Sequence, residues 1–129
     1  MMEMMVATLA LAATQPAAEL PVENEIVVMG NKLRDWRGNV KLRNGAVTCK
    51  TKRSTGDKAI DAIGCDAMIQ CFAPIAPQFA ALEGGKLTKD EMNRQADDLL
   101  KKAGTGDCLS AKREAGITAL AAQRRGKRT

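Results

Sequence analysis

The sequence predicts an α+β fold, with an N-terminal strand and a β-hairpin packed on three to four short helices and stapled by two disulfides. Three observations lead there. Asn44-Gly45 separates two alternating stretches, apolar residues recur at helical spacing from Asp57 onward, and four cysteines fall across both halves of a 129-residue chain. Apolar residues make up 45% of the chain but aromatics only 2%, so the core must be built from Ala, Leu, Ile, Val and Met. Burying one large aliphatic side chain contributes only about 1.5–3 kcal/mol, which leaves a small core in need of covalent support.

In chain order, residues 1–12 form an apolar run of signal-peptide length, ending in a small-x-small cleavage pattern at Ala10-Leu11-Ala12. The n-region carries Glu3 and no base, so either the true start lies upstream, with a basic segment, or the stretch is a buried N-terminal helix. Residues 13–24 are expected as a flexible mature N-terminus and residues 25–129 as a single domain with a basic C-terminal tail. No membrane-spanning segment is expected in the mature chain. Export also agrees with four cysteines in a short chain, so the expected compartment is periplasmic or secreted. The net charge of +5 becomes +6 once Glu3, the one acid among the first twelve residues, is removed. Such a balance favours anionic partners without naming one.

Glu25-Ile26-Val27-Val28-Met29-Gly30 is a β-branched run ended by glycine, and reads as a strand. It resembles the Glu-Ile-Val-Val-x-Gly segment near the mature N-terminus of TonB-dependent outer-membrane receptors, where a related stretch adds to an edge strand of the energising protein. The resemblance covers six residues and nothing downstream follows a plug or barrel pattern, so an edge strand of this domain is the expected role.

In the hairpin, Val40 and Leu42 alternate with Lys41 and Arg43, and Val47, Cys49 and Thr51 alternate with Thr48 and Lys50. A type I′ turn at Asn44-Gly45 joins them, because those residues best tolerate two positive φ angles. From residue 32 to 58 there are nine bases and two acids. The candidate binding residues are Arg34, Trp36, Arg37, Lys41, Arg43, Lys50, Lys52 and Arg53. Cations with one stacking ring can grip phosphates, as in single-strand binders; a solvated basic face that discourages edge pairing gives the same pattern.

Asp57 is a candidate N-cap for a helix bearing Ile60, Ile63, Ala67 and Cys71, stopped by Pro74. A short turn or helix starts at Pro77 and closes at Gly84-Gly85. Thr88-Lys89-Asp90-Glu91 is a capping box opening a helix with Met92, Ala96, Leu99, Leu100 and Ala103 on one stripe and Gly104 at its end. Asp107 can cap a last helix through Leu109, Ile117, Leu120 and Ala121, weakened at Gly116.

Cys65 and Cys71, six residues apart on one helix, have Cα atoms on the order of 10 Å apart, beyond the roughly 7 Å limit for a bridge. Two pairings remain. The simpler joins Cys49 to Cys65 and Cys71 to Cys108, since a strand followed by a helix most readily folds back on itself. The spacings lack Cys-x-x-Cys pairs for metal or redox chemistry, and no cofactor is expected. Histidine is absent, which removes the usual neutral-pH base and the commonest zinc ligand. No phosphate-loop or dinucleotide motif occurs, and the carboxylates Asp61 and Asp66, or Asp97 and Asp98, do not face each other.

The segment from Glu25 to Gly38 and the cysteine frame are similar to small uncharacterised exported proteins of Gram-negative bacteria, which implies a compartment and no activity. The expected function is therefore non-enzymatic: a periplasmic protein binding an envelope component or partner protein through a basic hairpin. The alternative is a binder of nucleic acid or lipopolysaccharide phosphate.

Overall fold

A computed structural model describes residues 22–128; the expected signal peptide and most of the mature N-terminus lie outside the described residues. The chain runs α1 (Val22–Asp35), β1 (Arg37–Arg43), β2 (Ala46–Arg53), α2 (Lys58–Phe72), a 3-10 turn (Ala73–Ile75), α3 (Ala76–Gly84), α4 (Lys89–Ala103) and α5 (Thr105–Arg128). This is the expected α+β class, with a hairpin carried on helices and two disulfides.

The segment from Glu25 to Gly30 is helical, not a strand. Glu25, Met29 and Leu33 recur every four residues and are buried together, whereas Val27 and Val28 face solvent at 59% and 44% exposure. A strand there would need a ladder partner, and the sheet among the described residues has two strands, each paired to the other. The helix penalty of two valines, a few tenths of a kcal/mol each, is smaller than what the buried stripe contributes. Arg37 Nη1 donates to the carbonyls of Arg34 (2.7 Å) and Trp36 (2.8 Å), supplying donors where the helix has run out of them.

Asn44 and Gly45 take φ of 53° and 79°, the expected turn. Leu42 pairs with Val47, Val40 with Cys49 and Gly38 with Thr51; Arg37 then pairs with Arg53, so Lys52 is the extra residue of a bulge at the open end. The inner positions, Val40, Leu42, Val47, Cys49 and Thr51, are half-buried, and the outer ones are exposed.

Central to the fold is α2. Asp57 Oδ1 accepts from the backbone N–H of Ala59 (3.0 Å) and Ile60 (3.4 Å), and Ile60, Gly64, Ala67 and Cys71 form its buried stripe. Pro74 ends this helix without ending the helical path: it sits in the first turn of the 3-10 segment, as Pro77 does in α3, where a missing N–H costs nothing. The stretch Lys58–Gly84 is long and apolar enough to cross a membrane by length and composition alone. Here it is the element on which the hairpin, α1 and α5 converge.

Thr88 Oγ1 caps α4 by accepting from the Glu91 N–H at 3.2 Å, and Gly104, at φ 66°, ends it. The apolar stripe of α4 is only half-covered; none of its residues is buried and Ala103 is exposed. The last helix starts at Thr105, so Asp107 lies in its first turn and not at the cap. Gly116 lies within this helix and has a packing role: a Cβ there would lie 2.8 Å from Ile63 Cγ2, so the glycine lets α5 press against α2. The basic residues from Arg124 onward continue the helix instead of trailing as a tail.

The disulfides join Cys49 to Cys65 and Cys71 to Cys108, the simpler of the two pairings, with Cα separations of 5.5 and 5.8 Å. The core is formed by Met29, Leu33, Trp36, Ile60, Ile117 and Ala121, with Cys49 and Cys65 packed against it. These intramolecular bonds fit an oxidising compartment.

Candidate functional site

Strand alternation gives the hairpin two chemically opposite faces. Residues 37–53 contain six bases and no acid, and the register sends Lys41, Arg43, Lys50 and Lys52 to the exposed side. Lys50 stands opposite Asn39, Lys41 opposite Thr48 and Arg43 opposite Ala46, so no two of the four cations confront each other directly. That staggering avoids the cost of like charges across a ladder. With Asn39 and Thr48 they line a shallow groove of about 270 Å³. None of the four takes part in an ion pair among the described residues.

The other four sequence-predicted residues are placed elsewhere. Arg53 is exposed at the open end of the hairpin, opposite Arg37, whose guanidinium is turned back onto the end of α1. Arg34 is on α1, lining a separate cleft with Arg113 and Ile117 of α5. Trp36 is not a surface ring at all, being 2% exposed. Its indole Nε1 donates to Thr51 Oγ1 at 3.1 Å, and the Arg113 guanidinium stands 5.8 Å from its ring centroid. It is a core pillar whose stacking faces are already covered.

Opposite the basic face is an apolar cleft of about 230 Å³ that sequence reading did not anticipate. Val40, Leu42 and Val47 form one wall; Phe72, Ala76 and Phe79, with Glu83, form the other. The two phenylalanine rings stand 6.0 Å apart at the corner between α2 and α3. Each residue had a readable period within its own element, but the gap between elements has no signal in one chain segment.

A second feature joins distant residues. Asp61 accepts from Ser54 Oγ (2.5 Å), Thr55 N (2.8 Å) and Thr55 Oγ1 (2.8 Å), while Asp57 Oδ2 accepts from Arg124 at 2.6 Å across 67 residues. The Ser54 hydrogen bond, then those from Thr55, hold the Asp61 carboxyl below the usual carboxylate range against some desolvation. Partial burial alone would raise Asp57; the Arg124 hydrogen bond and charge and the Ile60 and Ala59 amides outweigh it and leave the group lowered. Both carboxylates are thus ionised and occupied as structural acceptors. Among the described residues, no group of three or more acidic or thiol side chains could hold a metal ion.

These two carboxylates contribute to the acid sensitivity of the fold. Each binds its proton less readily folded than unfolded, so their contribution is complete above the ordinary carboxylate value of 3.8 and is lost as pH falls through their lowered values. Melting temperature is expected to hold from neutral pH to about pH 5 and then drop, and Arg124→Gln should make the acid limb shallower. A melting temperature that stays level to the lowest pH measured would contradict this.

The chain matches no protein-family model, no curated protein and no solved structure.

Proposed function

We propose that this is a non-enzymatic binding protein of the periplasm, and that the outer face of its hairpin takes a multiply anionic component of the cell envelope. The observation that carries the reading is the group of four exposed cations, Lys41, Arg43, Lys50 and Lys52, on a face with no acid. Long-range attraction to such a face raises the encounter rate with anions, and closely spaced cations release counterions from a polyanion on binding. With Trp36 enclosed, the face has no ring on which a nucleic-acid base could stack, so phosphate groups are favoured over bases as the recognised chemistry. The same enclosure removes the aromatic anchor around which a protein partner would have centred.

Inorganic polyphosphate serves as the test ligand. If four cations each neutralise one phosphate, log K should fall against log salt with a slope of about −3 to −4. Joint replacement of Lys41 and Lys50 by alanine is expected to roughly halve that slope, since each phosphate contact contributes about 0.7–0.9. Binding that ignores salt, or survives the double replacement unchanged, would remove this reading.

A further inference from the structure

The two faces of the hairpin come together at its tip. Leu42 and Val47 are the last inner pair, and Arg43 and Ala46 close the turn beside them. Below the inner pair is the open apolar cleft, in which Val40, Leu42, Val47, Phe72 and Phe79 are all only half-buried. The Cys49–Cys65 disulfide fixes β2 to α2 two residues inward from Val47. The distal half of the hairpin therefore projects past this anchor, over the corner between α2 and α3. A soluble polyanion would use the cations and leave this apolar opening in water. A surface that is anionic at its headgroups and apolar just beneath satisfies both.

We propose that the hairpin tip docks on an acidic phospholipid surface. Lys41 and Arg43 meet the headgroup phosphates, while Leu42, Val47 and the Phe79 ring reach the acyl boundary. Interfacial binding of this kind adds buried apolar area to attraction for anionic lipid. Glu83, the one acid in the cleft lining, is on the helical wall and not on the strands. The inference rests on the anion-binding reading above and names its partner.

The position of each cation gives the test its resolution. At about 3.3 Å per residue, Lys52 is roughly 20 Å from the tip, well beyond the screening distance of about 8 Å at physiological salt. On vesicles of phosphatidylcholine mixed with phosphatidylglycerol, Arg43→Ala, next to the turn, is expected to cost about fivefold in partitioning, the equivalent of one basic residue near the surface, and Lys52→Ala much less. On polyphosphate the two should cost alike. Joint replacement of Leu42 and Val47 by serine should lower vesicle binding while leaving polyphosphate binding in place. Because that pair could loosen the hairpin, Ala46→Trp at the exposed closing position provides the opposite arm and should strengthen vesicle binding.

Equal binding to vesicles of pure phosphatidylcholine would overturn the proposal. So would a Leu42/Val47 variant as competent on acidic vesicles as the parent, or an Ala46→Trp variant with no gain. In those cases polyphosphate binding still stands. If the parent protein binds neither polyphosphate nor acidic vesicles, the anion-binding reading falls as well.

Discussion

Replacing Trp36 with alanine is expected to cost about 3–5 kcal/mol, a large part of the roughly 5–15 kcal/mol available to a domain of this kind. The indole fills the space where α1, the hairpin, α2 and α5 converge. Gly38 and Gly64 both lie against the ring, and a Cβ built on Gly64 would lie 2.7 Å from its Cδ2. Truncation leaves a void walled by glycines, which have no side chains to move into it. It also removes the Nε1 donor to the Thr51 hydroxyl and the ring beneath Arg113. Urea unfolding followed by far-UV circular dichroism is the suitable measurement, since the replaced residue is the chain's single tryptophan. Gly64→Ala should shift the midpoint in the same direction by pushing on the ring. A loss below about 1 kcal/mol, the ordinary cost of a point change, would mean that the ring is not the pillar described.

Reduction is expected to unfold the protein at physiological temperature. In the chain-entropy account, the Cys49–Cys65 loop, with a separation of 16, contributes about 3 kcal/mol and the Cys71–Cys108 loop, with a separation of 37, about 4. Together these are comparable with the whole net stability of a small domain. The aliphatic core has little in reserve, and α4 brings no buried residue of its own. Melting curves with and without dithiothreitol should separate widely, and Cys71→Ser with Cys108→Ser should lower the melting temperature without abolishing the fold. A reduced and alkylated chain that melts where the oxidised one does would defeat the argument. The same dependence ties the folded state to compartments in which thiols are kept oxidised.

What was legible in the sequence was local. The Asn44-Gly45 turn, the Asp57 and Thr88 caps and the glycine at position 104 each depend on a few adjacent residues, and all four stand where expected. Helix geometry excluded only a Cys65–Cys71 bridge, and the preference for a strand folding back onto the helix that follows it picked the observed pairing from the two that remained. The first helix was misread because Val27 and Val28 have strand propensity, while the buried residues Glu25, Met29 and Leu33 show their period only if the charged member is counted. Tertiary burial overrode local preference there. Trp36 was misplaced because its partners, Gly38, Thr51, Gly64 and Arg113, belong to four different elements. The basic face was legible in composition, but the register was needed to separate four converging cations from Arg34, Arg37 and Arg53. The apolar cleft was invisible, because its walls come from segments more than twenty residues apart.

The bond between Cys71 and Cys108 has a further consequence for how the chain can change. It brings the end of α2 and the start of α5 to a Cα separation of 5.8 Å, and everything between them, α3 and α4 included, leaves and returns through that one gate. A backbone cut at Gly84-Gly85 would give two fragments that still travel as one molecule until a reductant reaches them. Within that closed loop the two helices differ: α4, which buries no residue, can drift in sequence while Ala76 and Phe79 of α3 keep their places on the wall of the cleft.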